Sequence, residues 1–443
     1  MSSPNIHVGI MSADKIDFKL HGEYQLVGTK HTFSGDETVR FENGTLQLAD
    51  SEISGDKLYF MPLDKENSEF ELKDVTIGVN FHWEQKEDQK FQGALKFIIE
   101  EGQITAVNIL SIEDYLISVI SSEMSAKSSL DLLKAHAIIS RSWLIAQTEK
   151  QDKLTDAGES YESTFETDDE YIKWYDREDH INFHVCADDH CQRYQGTTRS
   201  HNPNVVKAVN ETAGVVLAYK GAICDARFSK CCGGIAELFE NCWEPVNHPY
   251  LTAVIDNPAS PKGFETDLTV EENAVPWLKN APESFCNTDD EEVLKQVLNE
   301  YDWTAKDFYR WTVEYKQDEL SALILKRSGH DFGKILDMIP VERGVSGRLI
   351  KLKIVGSKKT LTVGKELEIR RWLSESHLYS SAFLVDKVNV VEGVPGKIIL
   401  RGAGWGHGVG LCQIGAAVMG HKGYKYDEIL NHYFKNIDLE KRY

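Results

Sequence analysis

This 443-residue sequence has no long apolar run and no basic N-terminal segment, and it has fewer positive than negative charges. No stretch of about 18 consecutive apolar residues occurs, which excludes an encoded transmembrane helix. The N-terminal segment MSSPNIHVGIMSADKIDFKL lacks the basic start and apolar run of a signal peptide. These absences leave two compartments open, the cytoplasm and an exported location reached with a leader that has been removed.

Positive charge is outweighed by negative charge. The chain has 49 Lys and Arg against 70 Asp and Glu, a formal net charge of -21. Nucleic acids and anionic membrane surfaces both attract basic patches, so this balance argues against either as a partner. The acidity indicates solubility and carries no information about the fold.

The first part of the chain has the alternating polar and apolar pattern of half-buried strands, as in IHVGI and KIDFKL. Asn43-Gly44 lies between two such stretches and predicts a tight hairpin, because both central residues of that turn need positive φ. We therefore expect a β-rich lobe over residues 1–110, and no catalytic constellation in it.

The pattern changes at Ser111. A capping sequence there predicts a short helix through Ile120, and apolar residues at helical spacing predict a longer helix over residues 129–149. Glu123 is expected in the connection between these two helices. A carboxylate at such a junction, beside Met124 and an apolar helix, is suited to general acid catalysis. The alternative is an ordinary solvated glutamate.

Cysteine and histidine are concentrated in one segment, DHINFHVCADDHC. His180, Cys186, His190 and Cys191 supply soft and borderline ligands that suit a tetrahedral zinc ion. The spacing is not that of a common zinc finger, so a Cys186–Cys191 disulfide and plain buried thiols remain open. His184, Cys231 and Cys232 are further candidates for completing the ligand shell. About one zinc per chain is expected.

Two other patterns have a functional and a structural interpretation. Lys134, His136 and Arg141 on the long helix either line a cleft beside Glu123 or form a solvated helix face. The run RGAGWGHGVG matches neither a phosphate loop nor a dinucleotide fingerprint. Its glycines allow close backbone approach, either for packing or for a flat surface on which a sugar ring stacks against Trp405.

Three separated motifs resemble the stage II sporulation protein D family (SpoIID/LytB domain). The first comprises the segments IEDYL, EM, LKAHA and RSW between residues 112 and 143. The second is SKCCGG at residues 229–234, followed by Trp243 and PYL at 249–251. The third, GWGHGVGLCQIGA at residues 404–416, is the most specific.

The resemblance implies lytic transglycosylase activity on peptidoglycan glycan strands, in some members on strands stripped of stem peptides. Other members enhance cell-wall amidases, so the alternative is a non-catalytic glycan-binding protein or amidase enhancer with an amidase partner. Glu123 matches the family's catalytic acid, with Lys134 and Arg141 on the active-site helix. His136 stands where the family usually has glutamine. Some members look zinc-bound through a segment like the Cys/His segment here, which would make that zinc structural or site-shaping.

The motifs also indicate which residues contact the substrate. The expected substrate-binding residues are His136, Ser229, Gly233, Gly234, Trp405, His407 and Gln413. Peptidoglycan as the substrate implies the cell envelope, although the N-terminal segment gives no support for export.

Pattern and resemblance together predict an α+β protein. A mostly-β lobe is expected over residues 1–110, a mixed α/β catalytic core with a central cleft over 111–256, and an insertion over 257–330. A β-hairpin, the glycine-rich run and helices over 331–443 would complete the core.

Overall fold

The computed structural model describes residues 3–78, 84–125, 127–157, 163–175, 180–188, 190–199, 202–298 and 307–443. It has the predicted α+β class, with several sheets and helices packed between them. Part of the predicted core and part of the predicted insertion, residues 299–306, lie outside the described residues. The proposed division into four segments stays a prediction.

The first ten strands all belong to one large sheet that β13 also joins. They are β1 Asn5–Ala13, β2 Lys15–Leu26, β3 Thr32–Glu42, β4 Thr45–Leu48, β5 Ser54–Gly55, β6 Lys57–Pro62, β7 Glu69–Ile77, β8 Gln85–Gln92, β9 Ala94–Glu100 and β10 Gln103–Ser111. The hairpin predicted at Asn43-Gly44 joins β3 to β4, with φ values of 52° and 81° at these two residues.

The next elements form the region predicted as the catalytic core. They are α1 Ile112–Glu123, α2 Leu130–Ala157, β11 Thr164–Glu166, β12 Glu170–Lys173, β13 Val185–Cys186, α3 Pro203–Glu211, β14 Val215–Tyr219, β15 Ala222–Ile223 and β16 Phe228–Ser229. Short 3-10 turns cover Gly196–Arg199 and Phe239–Asn241. The predicted long helix is confirmed but continues to Ala157, beyond its expected end at residue 149, and α1 runs three residues further than expected.

The rest of the chain alternates helices and strands. Its elements are α4 Glu271–Lys279, α5 Glu291–Val297, β17 Arg310–Lys316, α6 Gln317–Ser328, β18 Ile335–Arg343, β19 Leu349–Gly356, β20 Thr360–Gly364, α7 Glu366–Trp372, β21 Phe383–Val391, β22 Val394–Ala403, β23 Leu411–Cys412, α8 Gln413–His421, α9 Tyr426–Tyr433 and β24 Asp438–Lys441. The β19–β20 hairpin followed by a short helix is as predicted.

Strand pairing connects parts of the chain that are distant in sequence. β14 pairs with β24, β12 pairs with β20, and β16 pairs with β23. One continuous apolar cluster extends from Ile6 on the first strand to Phe434 after the last helix. The N-terminal sheet, α1, α2, α8 and α9 therefore share one core. Among the helices that the structure describes, none is long and apolar enough to cross a membrane.

Candidate functional site

Glu123 is the last residue of α1, and its side chain is half-buried. Ser111 caps the start of this helix by accepting the Asp114 N–H, and Met124 ends it in an extended conformation. Met124 itself is 4% exposed, so the chain turns inward directly after Glu123. The carboxylate thus lies at a helix end rather than in the middle of a free connection.

The turn after Glu123 is held by the segment predicted as an insertion. The Gln296 carbonyl accepts hydrogen bonds from the Ser125 N–H at 2.9 Å and the Ser128 hydroxyl at 2.8 Å. The Gln296 side-chain oxygen also accepts the Ser129 N–H at 3.3 Å. Gln296 lies on α5, for which the sequence suggested no role in a site. The structure shows that this helix fixes the backbone between α1 and α2.

The two cations predicted beside Glu123 are both engaged elsewhere. Arg141 is fully buried, and its guanidinium donates hydrogen bonds to the two Glu113 carboxylate oxygens at 3.0 and 2.6 Å. It also donates to the Val215 carbonyl. Lys134 is mostly buried and lies 2.6 Å from Glu211 at the end of α3. Glu113 is at the opposite end of α1 from Glu123, about 15 Å away along the helix axis.

His136 and Gln413 lie inside the protein. His136 is 0% exposed, and its Nε2 is 3.2 Å from the Gln413 amide nitrogen while its Nδ1 is 3.3 Å from the Ser140 hydroxyl. Burial, with a smaller contribution from Lys230, lowers the pKa of His136 to about 3. A neutral His136 therefore joins α2 to α8, and this conformation does not present it to a glycan.

The second motif forms a closely packed turn. Gly233 and Gly234 have φ values of 83° and 110°. A Cβ on Gly234 would lie 2.8 Å from the Trp277 ring, and one on Gly233 would lie 3.1 Å from the Gly404 nitrogen. Ser229 is 6% exposed, and its hydroxyl has no hydrogen-bond partner among the described residues. Close packing against β22 and α4 therefore explains why both positions are occupied by glycine.

The glycine-rich motif is also packed. Phe308 stacks on Trp405 with ring centroids 4.9 Å apart and an interplanar angle of 13°, and Tyr379 meets the same indole edge-on. His407 accepts the Val409 N–H at Nδ1 and lies edge-to-face with Trp243. Burial and the charge of Arg227 keep its pKa well below the usual range. The face of Trp405 that Phe308 covers is therefore closed to a sugar ring.

The predicted Cys/His ligands are brought together. The candidate ligand atoms of His180, Cys186, His190 and Cys191 all lie within 4.8 Å of one another. The Cys191 Sγ is 3.4 Å from the His180 Nε2 and 3.5 Å from the His190 Nδ1. Tetrahedral zinc with ordinary bond lengths places sulfur and nitrogen ligands about 3.6 Å apart. The four donors therefore fit a zinc ion.

The two alternatives for completing this ligand shell are resolved by position. His184 points to the first strand, where its Nδ1 accepts the His7 N–H at 3.1 Å and the two imidazoles stack. Cys232 belongs to a different cluster with Asp256, Cys286 and Cys412, and Cys231 lies beside Cys286 and Cys412 of that cluster. The Cys/His segment is anchored to the N-terminal sheet, because β13 pairs in parallel with β1 at Val8–Val185 and Gly9–Cys186.

Tyr115 connects this cluster with Glu123. Its side chain is buried on α1, and its hydroxyl is 3.4 Å from the Gln192 side-chain oxygen, next to Cys191. Burial raises the pKa of Tyr115 well above its usual range, and negative charge on Cys191, Cys186 and Glu123 adds to this effect. Tyr115 therefore joins α1, the helix that ends at Glu123, to the segment that carries the Cys/His cluster.

The sequence interpretation missed a second group of donors. Cys232, Asp256, Cys286 and Cys412 are all buried, and their candidate ligand atoms lie within 4.8 Å of one another, so this cluster could hold a metal ion. The residues come from four distant segments, so no local spacing marks them. Their only signal in the sequence was an unusual number of cysteines outside the Cys/His segment.

The chain matches two family models. Residues 100–219 match the family described as Stage II sporulation protein (SpoIID), and residues 237–410 match a domain of unknown function (DUF8618). The first match covers α1, α2 and the Cys/His segment.

Three curated proteins show how far the similarity extends. An uncharacterized protein of Brachyspira hyodysenteriae is 26% identical over 79% of this chain and 72% of its own length. The Stage II sporulation protein D of Bacillus amyloliquefaciens is 22% identical over 76% of each chain. The amidase enhancer of Bacillus subtilis is 24% identical over 72% of this chain, which spans 39% of that relative. Motifs, family match and relatives agree that residues 100–219 resemble the SpoIID family and that the wider chain is similar to proteins named stage II sporulation protein D and amidase enhancer.

Proposed function

We propose that this protein acts on the glycan strands of peptidoglycan in the cell envelope, as a lytic transglycosylase with Glu123 as its single acid and base. The observation that carries the proposal is the position of Glu123, a half-buried carboxylate at the end of α1 on a backbone fixed by Gln296. A carboxyl group at a fixed position can be held in reach of the substrate oxygen to which it transfers a proton.

The reaction needs only one carboxyl group. Glu123 donates its proton to the glycosidic oxygen as the bond to C1 of the muramoyl residue breaks. The C6 hydroxyl of the same sugar then bonds to C1, and its proton returns to Glu123. The product carries a 1,6-anhydro ring, and the enzyme ends in its starting protonation state. Hydrolysis by two carboxylates would instead consume a water molecule.

Zinc at His180, Cys186, His190 and Cys191 belongs to the same proposal. The donor distances fit the ion, and β13 fixes the segment against the N-terminal sheet. An ion held by four protein ligands has no open position for substrate, so its role would be to hold the Cys/His segment in place against the N-terminal sheet. Cys186→Ala with Cys191→Ala should remove one equivalent of zinc, as measured by elemental analysis.

A second candidate function is that of a non-catalytic glycan-binding protein or amidase enhancer. The burial of Arg141, His136 and Gln413 favours it, because these motif residues serve packing here. A relative that carries the name amidase enhancer is consistent with it.

Product analysis separates the two functions. Wild-type protein and Glu123→Gln are incubated with purified glycan strands stripped of stem peptides, and the products are analysed by mass spectrometry. Anhydro-muramoyl ends should form with the wild type and disappear with Glu123→Gln. Glu149→Gln, at an exposed position on α2, is the matched control and should keep full activity. If the protein co-sediments with the strands but forms no product, the lytic transglycosylase activity is excluded and the glycan-binding function is supported.

A further inference from the structure

The buried cluster of Cys232, Asp256, Cys286 and Cys412 lies outside the proposed catalytic region. Each residue is at most 2% exposed. They come from the turn after β16, the segment after the Ile235–Ile255 bridge, the segment between α4 and α5, and the start of α8. Three thiols and a carboxyl group thus meet in a part of the core where polar groups need partners, and the buried Cys231 thiol lies beside Cys286 and Cys412 at the edge of this set.

The geometry of the cluster matches one tetrahedral ion. The Cys232 and Cys286 sulfur atoms are 3.6 Å apart, and all four candidate ligand atoms lie within 4.8 Å of one another. Zinc–sulfur bonds of ordinary length in a tetrahedron place two sulfur atoms about 3.8 Å apart. The observed separations therefore need little adjustment to accept the ion.

The carboxylate is held in place by three donors. The Asp256 oxygens accept the Tyr433 hydroxyl at 2.6 Å, the Cys286 N–H at 2.9 Å and the Ser284 hydroxyl at 3.2 Å. Donors of this kind orient metal-binding carboxylates from outside the ligand shell. Asp256 is thus fixed with one carboxyl oxygen within 4.8 Å of the sulfur atoms.

Backbone N–H groups point at two of the sulfur atoms. The Cys232 N–H donates to the Cys412 Sγ at 3.3 Å, and the Gly234 N–H donates to the Cys232 Sγ at 3.4 Å. Cys412 also directly precedes α8, where the helix dipole favours a negative side chain. N–H donors of this kind favour a negatively charged sulfur, the form of cysteine that binds metals, although burial raises the pKa of Cys232 while no metal is bound.

We propose that Cys232, Asp256, Cys286 and Cys412 bind one structural Zn²⁺ ion, separate from the ion proposed for the Cys/His segment. Four protein ligands and complete burial leave no position for substrate, so the ion's role is to hold together segments that are far apart in the sequence. The proposal goes beyond the proposed function and does not depend on it, because metal content is measured without any activity.

The test is made in a variant from which the other cluster has been removed. Full-length protein with Cys186→Ala and Cys191→Ala is purified under reducing conditions without chelator, and its zinc is measured by elemental analysis. One equivalent should remain. Adding Asp256→Asn, which preserves the side-chain shape, should reduce it to well below half an equivalent. Adding Cys224→Ser, a change at a buried thiol outside both clusters, is the matched control and should leave it unchanged.

Cobalt substitution gives a second readout that does not rely on a further mutation. Co²⁺ exchanged into the Cys186→Ala and Cys191→Ala protein should give tetrahedral visible bands and sulfur-to-cobalt absorption corresponding to three thiolates. Absence of metal from this folded variant would overturn the proposal. A mass two hydrogens lower, which indicates a disulfide among these thiols, would overturn it as well. If the wild-type protein held no more zinc than the Cys186→Ala and Cys191→Ala variant, only the zinc ion of the proposed function would be contradicted.

Discussion

Arg141 and Glu113 form a two-pronged ion pair that joins the middle of α2 to the start of α1, with nitrogen–oxygen distances of 3.0 and 2.6 Å. The Gly214 N–H and the Tyr443 hydroxyl bind the same Glu113 oxygen. This carboxylate therefore accepts four hydrogen bonds from three parts of the chain. The family resemblance associated Arg141 with catalysis, whereas its partners associate it with stability.

Arg141→Ala should lower the free energy of unfolding by about 3–5 kcal/mol, because it leaves the nearly buried Glu113 charge without its main partner. Product formation per folded molecule should not change, since Glu113 is a helix length away from Glu123. Urea unfolding and glycan-strand digestion at a temperature where the variant is folded measure the two quantities. Lys207→Ala removes an exposed ion pair at 3.9 Å and should cost less than about 0.5 kcal/mol. Full stability with lost activity in Arg141→Ala would restore its catalytic assignment.

His136→Gln should reduce the sensitivity of the fold to acid. The folded protein keeps His136 neutral down to a pKa of about 3, whereas the unfolded chain protonates it below about 6.5. Between these values the unfolded state binds more protons, so His136 makes stability fall as the pH falls. From pH 7 to pH 5 its contribution to the loss is roughly 2 kcal/mol.

Urea unfolding at the two pH values measures this difference for wild type and variant. The glutamine can still contact Gln413, so the variant should be folded at pH 7. His31→Gln, at an exposed position, is the control and should lose as much stability as the wild type. An unchanged acid sensitivity of His136→Gln would contradict a buried neutral imidazole.

Gly408→Ala should destabilise the protein far more than Gly423→Ala. Both glycines have positive φ, 79° and 88°, so the backbone cost of alanine is similar at the two positions. A Cβ on Gly408 would lie 2.5 Å from the Arg348 guanidinium, whereas one on Gly423 meets nothing within 4 Å. Overpacking of this kind costs about 1–3 kcal/mol beyond the shared strain. Equal midpoints of thermal unfolding for the two variants would show that the glycine-rich run is not packed as described.

Ser128→Ala should loosen the turn that follows Glu123. The substitution removes a buried hydrogen bond of 2.8 Å to the Gln296 carbonyl and should cost about 0.5–1.5 kcal/mol. Hydrogen exchange at the Ser125 amide, which donates to the same carbonyl, should become faster. If the proposed function holds, product formation should fall as well.

Ser122→Ala provides a matched control for this turn. Its hydroxyl donates to the Ser118 carbonyl at 2.9 Å within α1, so the lost bond is of the same kind but lies inside the helix. Exchange at Ser125 should stay at the wild-type rate. If both variants accelerate it equally, the contact with α5 does not control the turn.

Local sequence patterns predicted the turns and helices that neighbouring residues determine. The Asn43-Gly44 turn follows from two residues that accept positive φ, and α2 follows from apolar spacing over a long stretch. The Cys/His segment could be recognised because its donors lie within a few residues of each other. The sequence also indicated Glu123 as a helix-junction carboxylate, and the structure places it at the last position of α1.

Tertiary partners could not be predicted in this way. Whether Arg141 lines a cleft or pairs with Glu113 depends on how α1 crosses α2, which spacing within one helix does not specify. Trp405 has the composition expected of a sugar platform, but Phe308, nearly a hundred residues earlier, covers one of its faces. The ligands of the buried cluster likewise become neighbours only in the folded chain.

The pairing of β14 with β24 has a consequence for how the protein is synthesised. Val215 lies opposite Lys441, so the strand that follows α3 is paired on this edge only by β24, which is distant from it in the sequence. Contacts of such long sequence separation slow folding and form late. While the ribosome is still translating the middle of the message, the part of the chain that has already emerged exposes the unpaired edge of β14. Chaperone binding to nascent chains should therefore persist until β24 has left the exit tunnel.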